Sequence, residues 1–462
     1  MKKLCKGVSL LLAGALLMAS LAACQKKPAG ETTAQEQTTK GTEAVQTTQG
    51  NTKDSGEESA FAGQTLEVAA FAGAYGTDFW DSVCAKFEDE YDVKVELTCS
   101  PQLGGDIIRP SVVSGDPPDF IAFAQEQDII TTMIKEDALL DLSDVVGEFE
   151  DTLLDGILDY CQPYKDGRIL YTPSWYYSWG TWYNKGLFEE KNWELPKTFD
   201  EMLALGEKAK QEGMALFVYP GVYPGYNQGV LFAALASAGG ADLLNAIANY
   251  EEGVWEKPEV KEVLDFYQKM VDNGYILDGS VALTHTQAQT EFVQGKAVFC
   301  VSGSWIETEM ADAAPEGFRY GFLPTPTAQA GQQQYANIGF ETFEIPAAAK
   351  NPELAKEFLK FLYRQDNLLM NAEKTQACMA IKGGADMVKE YMTESNYENL
   401  KMLDSELMPC FVNWTLTEKT EITIMDELFN SINSLVNKEM DVDGWIARME
   451  EDDAVLREAV AK

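Results

Sequence analysis

The feature that most constrains this chain is an alternation of strand-like and helix-like segments over residues 66–123. LEVAAF (66–71) and residues 93–97 have the alternating pattern of half-buried strands. Between them, residues 79–87 place apolar side chains at helical spacing. PPDFIAF (117–123) adds a third strand that begins after two prolines. Strand, helix and strand in this order predict an α/β fold with a parallel sheet.

The length of the chain predicts more than one domain. Residues 61–462 form the body, and a single hydrophobic core stops growing at roughly 250–300 residues. Two domains are therefore expected.

The net charge of the chain is −38, from 74 acidic and 36 basic side chains. Most of this charge is interpreted as a solvated exterior, which favours solubility. Its field disfavours nucleic acid, anionic lipid and phosphorylated ligands, and favours a neutral or cationic ligand. No nucleic-acid partner is expected.

The N-terminal segment has the three-part layout of a secretory signal. A basic start (MKKLCK) precedes the apolar residues 8–21, a run too short to span a bilayer as a helix. LAAC (21–24) resembles the end of a bacterial lipoprotein signal. Residues 1–23 are thus expected to be removed and Cys24 to be lipidated, for example with palmitate, which would anchor the protein on the extracellular face of the cell membrane. The alternative is an ordinary signal that is cut elsewhere.

Residues 24–60 are predicted to be a disordered tether. After Cys24 this segment has no aromatic residue, and Val45 is its only branched aliphatic residue. It cannot bury enough apolar surface to offset the entropy cost of ordering. As a coil it would span roughly 30–36 Å, which leaves the body free to reorient near the membrane.

Cysteine and histidine usage argues against a metal or cofactor. The six cysteines of the body are sparse, without a C-x-x-C pair, and are predicted to be buried; a Cys84–Cys99 bridge is the open alternative. His285 is the only histidine, so zinc-ligand spacing is absent from the sequence. A Ser-His-Asp triad would have to use that one residue.

Several spaced phrases resemble one family of binding proteins. They are LAAC (21–24), GDPPDF (115–120), WYNKGLFEEKNWELPKTFDEM (182–202), FVQGKAVFCVSGSW (292–305), GFLPTP (321–326) and GFETFEIPAAAKNPELAKEFLKFL (339–362). Their order is similar to that of the carbohydrate-binding, maltose-binding-protein-like group (family 1) of bacterial ABC-importer solute-binding proteins. Residues 221–228, 239–240 and 254–260 also look similar to importer proteins for N-acetylglucosamine or chito-oligosaccharides.

This resemblance implies a two-lobed periplasmic-binding-protein type II fold, with ligand in the interlobe cleft and hinge crossings between the lobes. Lobe one is expected to comprise residues 61–176 and 340–382, and lobe two residues 177–339 and 383–462. The crossings are expected near residues 173–180, 336–342 and 380–384. The expected partners are a sugar or oligosaccharide and the permease subunits of an ABC importer.

The aromatic stretch SWYYSWGTW (174–182) suits such a site because sugar rings stack on flat apolar surfaces while their hydroxyl groups need hydrogen-bond partners. Trp305 matches the family's G-S-W position, whose ring typically stacks on sugar. The predicted stacking residues are Tyr177, Trp179, Tyr223, Tyr226, Trp305 and Trp414, and the predicted polar partners are Glu126 and Glu341, with Tyr75 as a weaker candidate.

The structural alternative for these residues is ordinary packing. The chain has 22 Phe, 19 Tyr and 9 Trp, and most of them must lie in the core. Trp182 and Tyr183 are predicted to be packing residues, and Glu126 and Glu341 have the alternative of being solvated acids.

Two other classes of function remain open at this point. An extracellular glycoside hydrolase would need a pair of carboxylates about 5–10 Å apart. A receptor for a non-sugar solute such as a peptide, a polyamine or iron would suit the acidic charge. The family phrases favour a sugar receptor that is not an enzyme.

Overall fold

The computed structural model describes residues 59–72, 76–123, 127–418 and 420–460. The predictions for the signal, for Cys24 and for the tether up to residue 58 lie outside the described residues, as do those for Tyr75 and Glu126.

The described strands form one mixed sheet. In chain order they are β1 Thr65–Phe71, β2 Lys94–Ser100, β3 Phe120–Phe123, β4 Thr172–Asn184, β5 Ala215–Val218, β6 Ala297–Gly303, β7 Tyr320–Leu323, β8 Tyr335–Glu344 and β9 Met408–Cys410. The order across the sheet is β2-β1-β3-β8-β4-β6-β5, with β7 paired to β4 and β9 paired to β8.

Helices cover the sheet. In chain order they are α1 Asp78–Tyr91, α2 Arg109–Ser114, α3 Gln127–Lys135, α4 Ser143–Val146, α5 Lys185–Lys191, α6 Phe199–Gln211, α7 Gln228–Ala248, α8 Pro258–Asp272, α9 His285–Val293, α10 Ile306–Glu309, α11 Pro352–Leu362, α12 Gln365–Thr375, α13 Gly384–Val388, α14 Glu394–Ser405, α15 Ile424–Val436 and α16 Val442–Glu458. Short 3-10 segments include Ile157–Cys161 and Pro224–Asn227, and Gly104–Ile108 is a π segment.

The predicted order of strand, helix and strand with parallel pairing at the start of the body is confirmed. β1 pairs in parallel with β2 on one side and with β3 on the other. α1 buries the apolar side chains that the helical spacing selected, namely Phe79, Trp80, Val83, Cys84 and Phe87. Burial of this stripe against the sheet stabilises the helix, since each large side chain removed from water contributes about 1.5–3 kcal/mol.

Two long strands, β4 and β8, run antiparallel to each other through the centre of the sheet. At one end β8 pairs with β3, through Thr342 and Phe343. At the other end β4 pairs with β6 and β7, through residues 179–184. Through these pairings β4 and β8 join the N-terminal part of the sheet to its other half.

Two large hydrophobic cores include residues from opposite ends of β4, Trp175 in one and Tyr183 in the other. The first contains Leu66, Phe79, Trp80, Phe87, Phe120, Trp175, Phe343, Phe358 and Leu362. The second contains Tyr183, Phe199, Leu231, Phe232, Trp255, Phe299, Phe429 and Trp445. We call the halves built around them lobe one and lobe two.

The chain does not change lobes near residues 380–384, where the third crossing was predicted. Residues beyond this point still pack in lobe one. Ala385, Val388 and Leu400 are buried in the core of lobe one. Leu403 packs against both lobes, and Leu407 is buried with lobe-two residues. α13 and the first part of α14 thus pack with lobe one because their apolar side chains complete its core.

The cysteines behave as small apolar residues. All six in the described part of the chain are free thiols, including Cys84 and Cys99. Five are buried, and Cys99 is partly buried. A Cys84–Cys99 bridge is therefore not formed in this structure.

The segment Pro224–Ala248 is the one part of the described chain that is long and apolar enough to cross a membrane. It includes α7, whose residues 229–237 are buried. Phe232 of this helix packs on Phe429 of α15. Its apolar character is thus explained by its place in the core of lobe two.

Candidate functional site

Four of the predicted stacking residues lie together beside the crossing strands. Tyr177 and Trp179 are on β4. Tyr226 lies in the Pro224–Asn227 turn that precedes α7, and Trp305 follows the end of β6. We call these four residues the aromatic cluster.

The rings of the aromatic cluster contact one another edge to face. The Trp305 centroid lies 4.8 Å from Trp179, 5.6 Å from Tyr177 and 6.0 Å from Tyr226, at interplanar angles of 88°, 71° and 89°. Trp179 and Tyr226 are 5.0 Å apart. This packing fixes the planes of the rings. Tyr177 is buried, whereas Trp179, Tyr226 and Trp305 remain partly accessible to solvent.

Two glycines make room for these rings. A Cβ atom at Gly303 would overlap the indole of Trp305, and one at Gly339 would overlap the phenol ring of Tyr177. Gly303 pairs with Trp179 across the sheet, and Gly339 pairs with Tyr177. The missing side chains let the rings lie directly on the backbone of β6 and β8.

A row of polar side chains borders the aromatic cluster on lobe two. The Gln289 Nε2 atom donates to Glu309 Oε2 over 2.9 Å and to Ser302 Oγ over 3.3 Å. His285 Nε2 lies 4.0 Å from the same Glu309 oxygen. The imidazole is nearly parallel to the ring of Tyr226, at 14° and 6.4 Å between centroids.

Burial has the largest effect on the pKa of the Tyr226 hydroxyl. It raises the pKa of the Tyr226 hydroxyl to about 12, and the Glu309 carboxylate adds to the rise. A hydrogen bond with Trp305 acts in the opposite direction. The Tyr226 hydroxyl is therefore neutral at physiological pH and can both donate and accept hydrogen bonds.

The other two predicted stacking residues lie outside the aromatic cluster. Tyr223 is 48% exposed, and its ring centroid is 6.0 Å from that of His285. Trp414 stacks on Tyr250 at 5.8 Å and 17°, and also contacts Phe232. Trp182 and Tyr183 are buried, as predicted for packing residues.

Glu341 is buried on β8 rather than solvated. It is 7% exposed, one of its carboxylate oxygens has no hydrogen-bond partner, and burial raises its pKa to about 8. Glu344, which sequence analysis did not single out, is fully buried. Burial raises its pKa to about 8, and a hydrogen bond with Thr342 acts in the opposite direction. Both carboxyl groups are neutral over part of the physiological pH range.

Two surface cavities lie away from the aromatic cluster. One of about 610 Å³ is lined mainly by charged side chains, including Glu259, Lys261 and Lys269. The other, of about 370 Å³, is lined by residues that include Leu187, Phe292 and Phe318. Neither cavity includes a ring of the aromatic cluster, so the ring geometry, not cavity volume, identifies the candidate site.

Sequence analysis missed the role of His285, Glu309 and Gln289 as neighbours of the aromatic cluster. A signal for Glu309 was present, because it stands four residues after Trp305 and so falls one helical turn away. His285 and Gln289 reach the site only through the packing of α9, which the local sequence does not reveal.

Comparison with known families gives the class of protein. The family of bacterial extracellular solute-binding proteins matches residues 82–393, more than half of the 462 residues. The chain belongs to this family. Membership of this family confirms the predicted extracellular location. Lipid anchoring through Cys24 stays a prediction.

Curated relatives are also binding proteins. The diacetylchitobiose-binding protein NgcE of Streptomyces coelicolor is 31% identical over 365 residues, covering 75% of this chain and 76% of the relative. The galactooligosaccharide-binding protein of Bacillus subtilis is 28% identical over 321 residues, and the match covers 66% of this chain and 70% of the relative.

Solved structures confirm the predicted two-lobed α/β fold. Apo RafE of Streptococcus pneumoniae superposes with a TM-score of 0.68 at 19% identity, covering 86% of this chain and 98% of RafE. A chitin oligosaccharide binding protein superposes with a TM-score of 0.62 at 17% identity, covering 85% of this chain and 99% of that protein.

Proposed function

We propose that this protein is an extracellular receptor that binds a sugar or oligosaccharide in the cleft between its lobes and delivers it to the permease of an ABC importer. The aromatic cluster is the observation that carries this proposal. Its rings are fixed by edge-to-face packing and three of them stay partly accessible. Rigid aromatic planes beside hydroxyl and carboxylate groups match the apolar face and polar rim of a sugar.

The favoured ligand is an N-acetylated chito-oligosaccharide. NgcE, the 31% identical relative, is named for binding diacetylchitobiose, and so is a second relative from Streptomyces coelicolor, DasA, at 24% identity. Other relatives are named for binding galactooligosaccharide and maltodextrin, so the proposed general class of ligand is a sugar.

The proposed stacking surface is the aromatic cluster, with Tyr223 and Trp414 as further candidates on lobe two. Glu341 is the proposed polar partner from β8, and Glu126 and Tyr75 remain candidates beyond the described residues. The proposed lobe bounds are those inferred from the sequence, except that residues 383–400 are assigned to lobe one because their buried side chains pack in its core.

Membrane attachment is also part of the proposal. Lipidation of Cys24 would hold the protein on the extracellular face of the cell membrane, near the permease that it serves. We infer that the protein releases its sugar unchanged, in keeping with relatives that are named as binding proteins.

Titration calorimetry with the purified protein tests this function. The ligands are diacetylchitobiose, raffinose, maltotriose, a tetrapeptide and spermidine, and the recovered sugar is then checked by chromatography. A sugar is expected to bind with one-to-one stoichiometry and to be recovered intact. Binding of spermidine or the peptide in preference to all sugars would contradict the proposal, and so would recovery of a cleaved sugar.

A further inference from the structure

Glu309 is held in a defined position next to the aromatic cluster. It is the last residue of α10, the short helix that begins directly after Trp305. Gln289 is 1% exposed, and its Nε2 atom donates to Glu309 Oε2 over 2.9 Å. A buried amide therefore orients a carboxylate that is itself 40% exposed.

His285 presents a second polar group at the same place. Its Nε2 atom lies 4.0 Å from Glu309 Oε2, which is beyond hydrogen-bond length. The imidazole is 38% exposed and nearly parallel to the ring of Tyr226. The carboxylate favours a proton on Nε2, because the other tautomer would leave a lone pair beside a negative charge. A donor and an acceptor thus lie side by side at the border of the aromatic rings.

The separation of these two atoms suits a single ligand atom that both donates and accepts. An oxygen atom placed about 2.8 Å from each of them makes an angle of about 90° between its two partners, which a hydroxyl group tolerates. The hydroxyl then donates to the carboxylate and accepts from the imidazole N–H. A secondary amide points its N–H and carbonyl groups in opposite directions, so it cannot bind both partners at this separation. An ammonium group offers no acceptor, and an ionised carboxylate offers no donor.

We propose that Glu309 and His285 together bind one hydroxyl group at the rim of the sugar that stacks on the aromatic cluster. The inference rests on the proposed function, since it assumes a sugar in that site. Buried Gln289 is a positioning residue in this arrangement, because it contacts Glu309 and Ser302 rather than the ligand. The pair makes one hydroxyl position a determinant of specificity. In an N-acetylated sugar, the pair therefore binds a hydroxyl group and leaves the acetamido groups to other residues.

Analogues of diacetylchitobiose that each lack one hydroxyl group identify the position. Calorimetry of the intact wild-type protein is expected to show at least one analogue that binds about 10-fold more weakly than the parent sugar. Glu309→Ala removes the acceptor, and His285→Phe keeps a ring against Tyr226 but removes both nitrogens. Each variant is expected to weaken binding of the parent sugar about 10-fold. In the double variant, one such analogue and the parent sugar should bind with affinities within about 2-fold of each other, because the missing hydroxyl has no partner left to lose.

His285 gives an independent readout because it is the only histidine of the chain. Untagged protein labelled with 15N-histidine therefore shows one pair of imidazole nitrogen resonances. Saturating diacetylchitobiose is expected to shift the Nε2 resonance, and the analogue identified by calorimetry should leave it near its sugar-free position. Asp312→Asn, at an exposed acid in the loop after α10, removes one negative charge as Glu309→Ala does and should change neither the affinities nor this shift.

The results separate the two levels of the proposal. If every analogue keeps its wild-type loss in the double variant, or if the Nε2 resonance does not move, the hydroxyl assignment is overturned while sugar binding stands. Unchanged affinities of both single variants overturn it as well. If the double variant does not fold, the comparison is made in His285→Phe, where the loss for one analogue should shrink about 3-fold. If the wild-type protein prefers raffinose or maltotriose, the analogues are made from that sugar, and if it binds no sugar at all, the proposed function fails and this inference fails with it.

Discussion

At the residue scale, Trp305 is the centre of the candidate site, because its ring contacts the other three members of the aromatic cluster. Trp305→Ala is expected to weaken sugar binding by about 1–4 kcal/mol, through loss of the stacking plane and of the contacts that fix its neighbours. Titration calorimetry measures the change. Trp193→Ala is the matched control, since this partly buried indole packs on Phe188 in the same lobe. Equal affinities of Trp305→Ala and wild type would remove this ring from the site.

Glu344 gives a second prediction at this scale, which concerns stability. Burial raises its pKa from the ordinary value of 4.5 to about 8, so the folded state holds a proton that the unfolded state releases between these values. The contribution to the free energy of unfolding is fully present below about pH 4.5 and is lost as the pH rises to about 8.

Glu344→Gln removes this titration while keeping the shape of the side chain. The variant is expected to match the wild type near pH 4.5 and to be more stable by a few kcal/mol at pH 8.5, since each pKa unit corresponds to about 1.4 kcal/mol. Urea denaturation at both pH values measures the difference. Glu353→Gln, at an exposed acid of α11, should show no such trend. A constant difference between Glu344→Gln and wild type at the two pH values would refute the assignment.

Some residues of the candidate site could be predicted from the sequence and others could not. Tyr177 and Trp179 were predicted from aromatic crowding and Trp305 from a family resemblance, and the structure brings them together with Tyr226, which was also a predicted stacking residue. Their role in binding stays a prediction. His285 and Glu309 were not predicted as a pair, because 24 residues separate them in the sequence and only the packing of α9 against β6 brings them close. Long-range packing of this kind leaves no local pattern.

At the element scale, the end of β6 determines where the indole of Trp305 lies. Gly303 is buried in this strand and a Cβ atom there would overlap the ring. Gly303→Ala is expected to displace the indole and to weaken sugar binding about 10-fold, without removing any ring atom. Intrinsic tryptophan fluorescence with and without sugar reports the displacement, alongside calorimetry.

Gly147→Ala is the control for this substitution. Gly147 follows α4 in lobe one, has φ −56°, and has open space around its Cβ position. This variant should keep the affinity of the wild type. If Gly303→Ala also keeps it, the position of the indole does not depend on close approach to β6.

Secondary structure was predictable where the periodicity was strong and local. The strands β1, β2 and β3 and the helix α1 follow the apolar spacing of their residues. The change of lobe after residue 380 was placed too early. α13 and α14 read as helices in either lobe, so only the burial of Ala385, Val388 and Leu400 in lobe one decides their place.

At the scale of the whole molecule, residues 411–418 form a strap that contacts both lobes. Trp414 packs on the core of lobe two, and Leu416 packs on residues of lobe one. The Thr415 hydroxyl donates to Asn249 Oδ1 over 2.6 Å. The same Asn249 oxygen accepts from Lys165 Nζ of lobe one over 2.9 Å. Asn249 thus joins the strap, lobe two and lobe one.

A sugar that contacts both lobes favours the conformation in which they are close, because only that conformation provides all of its contacts. Small-angle X-ray scattering is therefore expected to show a smaller radius of gyration when a tight-binding sugar is added. An unchanged radius at saturating sugar would contradict closure of the cleft.

The contact between Lys165 and Asn249 should bias this equilibrium without touching the sugar. Lys165→Ala removes this contact, so the population with separated lobes should rise. The apparent affinity should then fall in proportion to the smaller fraction of molecules whose lobes are close enough to bind the sugar. Because the contact is solvent-exposed and its free energy is about 0.2–1 kcal/mol, a decrease of at most about 5-fold is expected. Scattering of the sugar-free protein should show a larger radius of gyration. Lys374→Ala, at an exposed lysine of α12, removes the same charge and should change neither quantity. A loss of affinity with an unchanged radius would place the effect at the binding site instead of in the separation of the lobes.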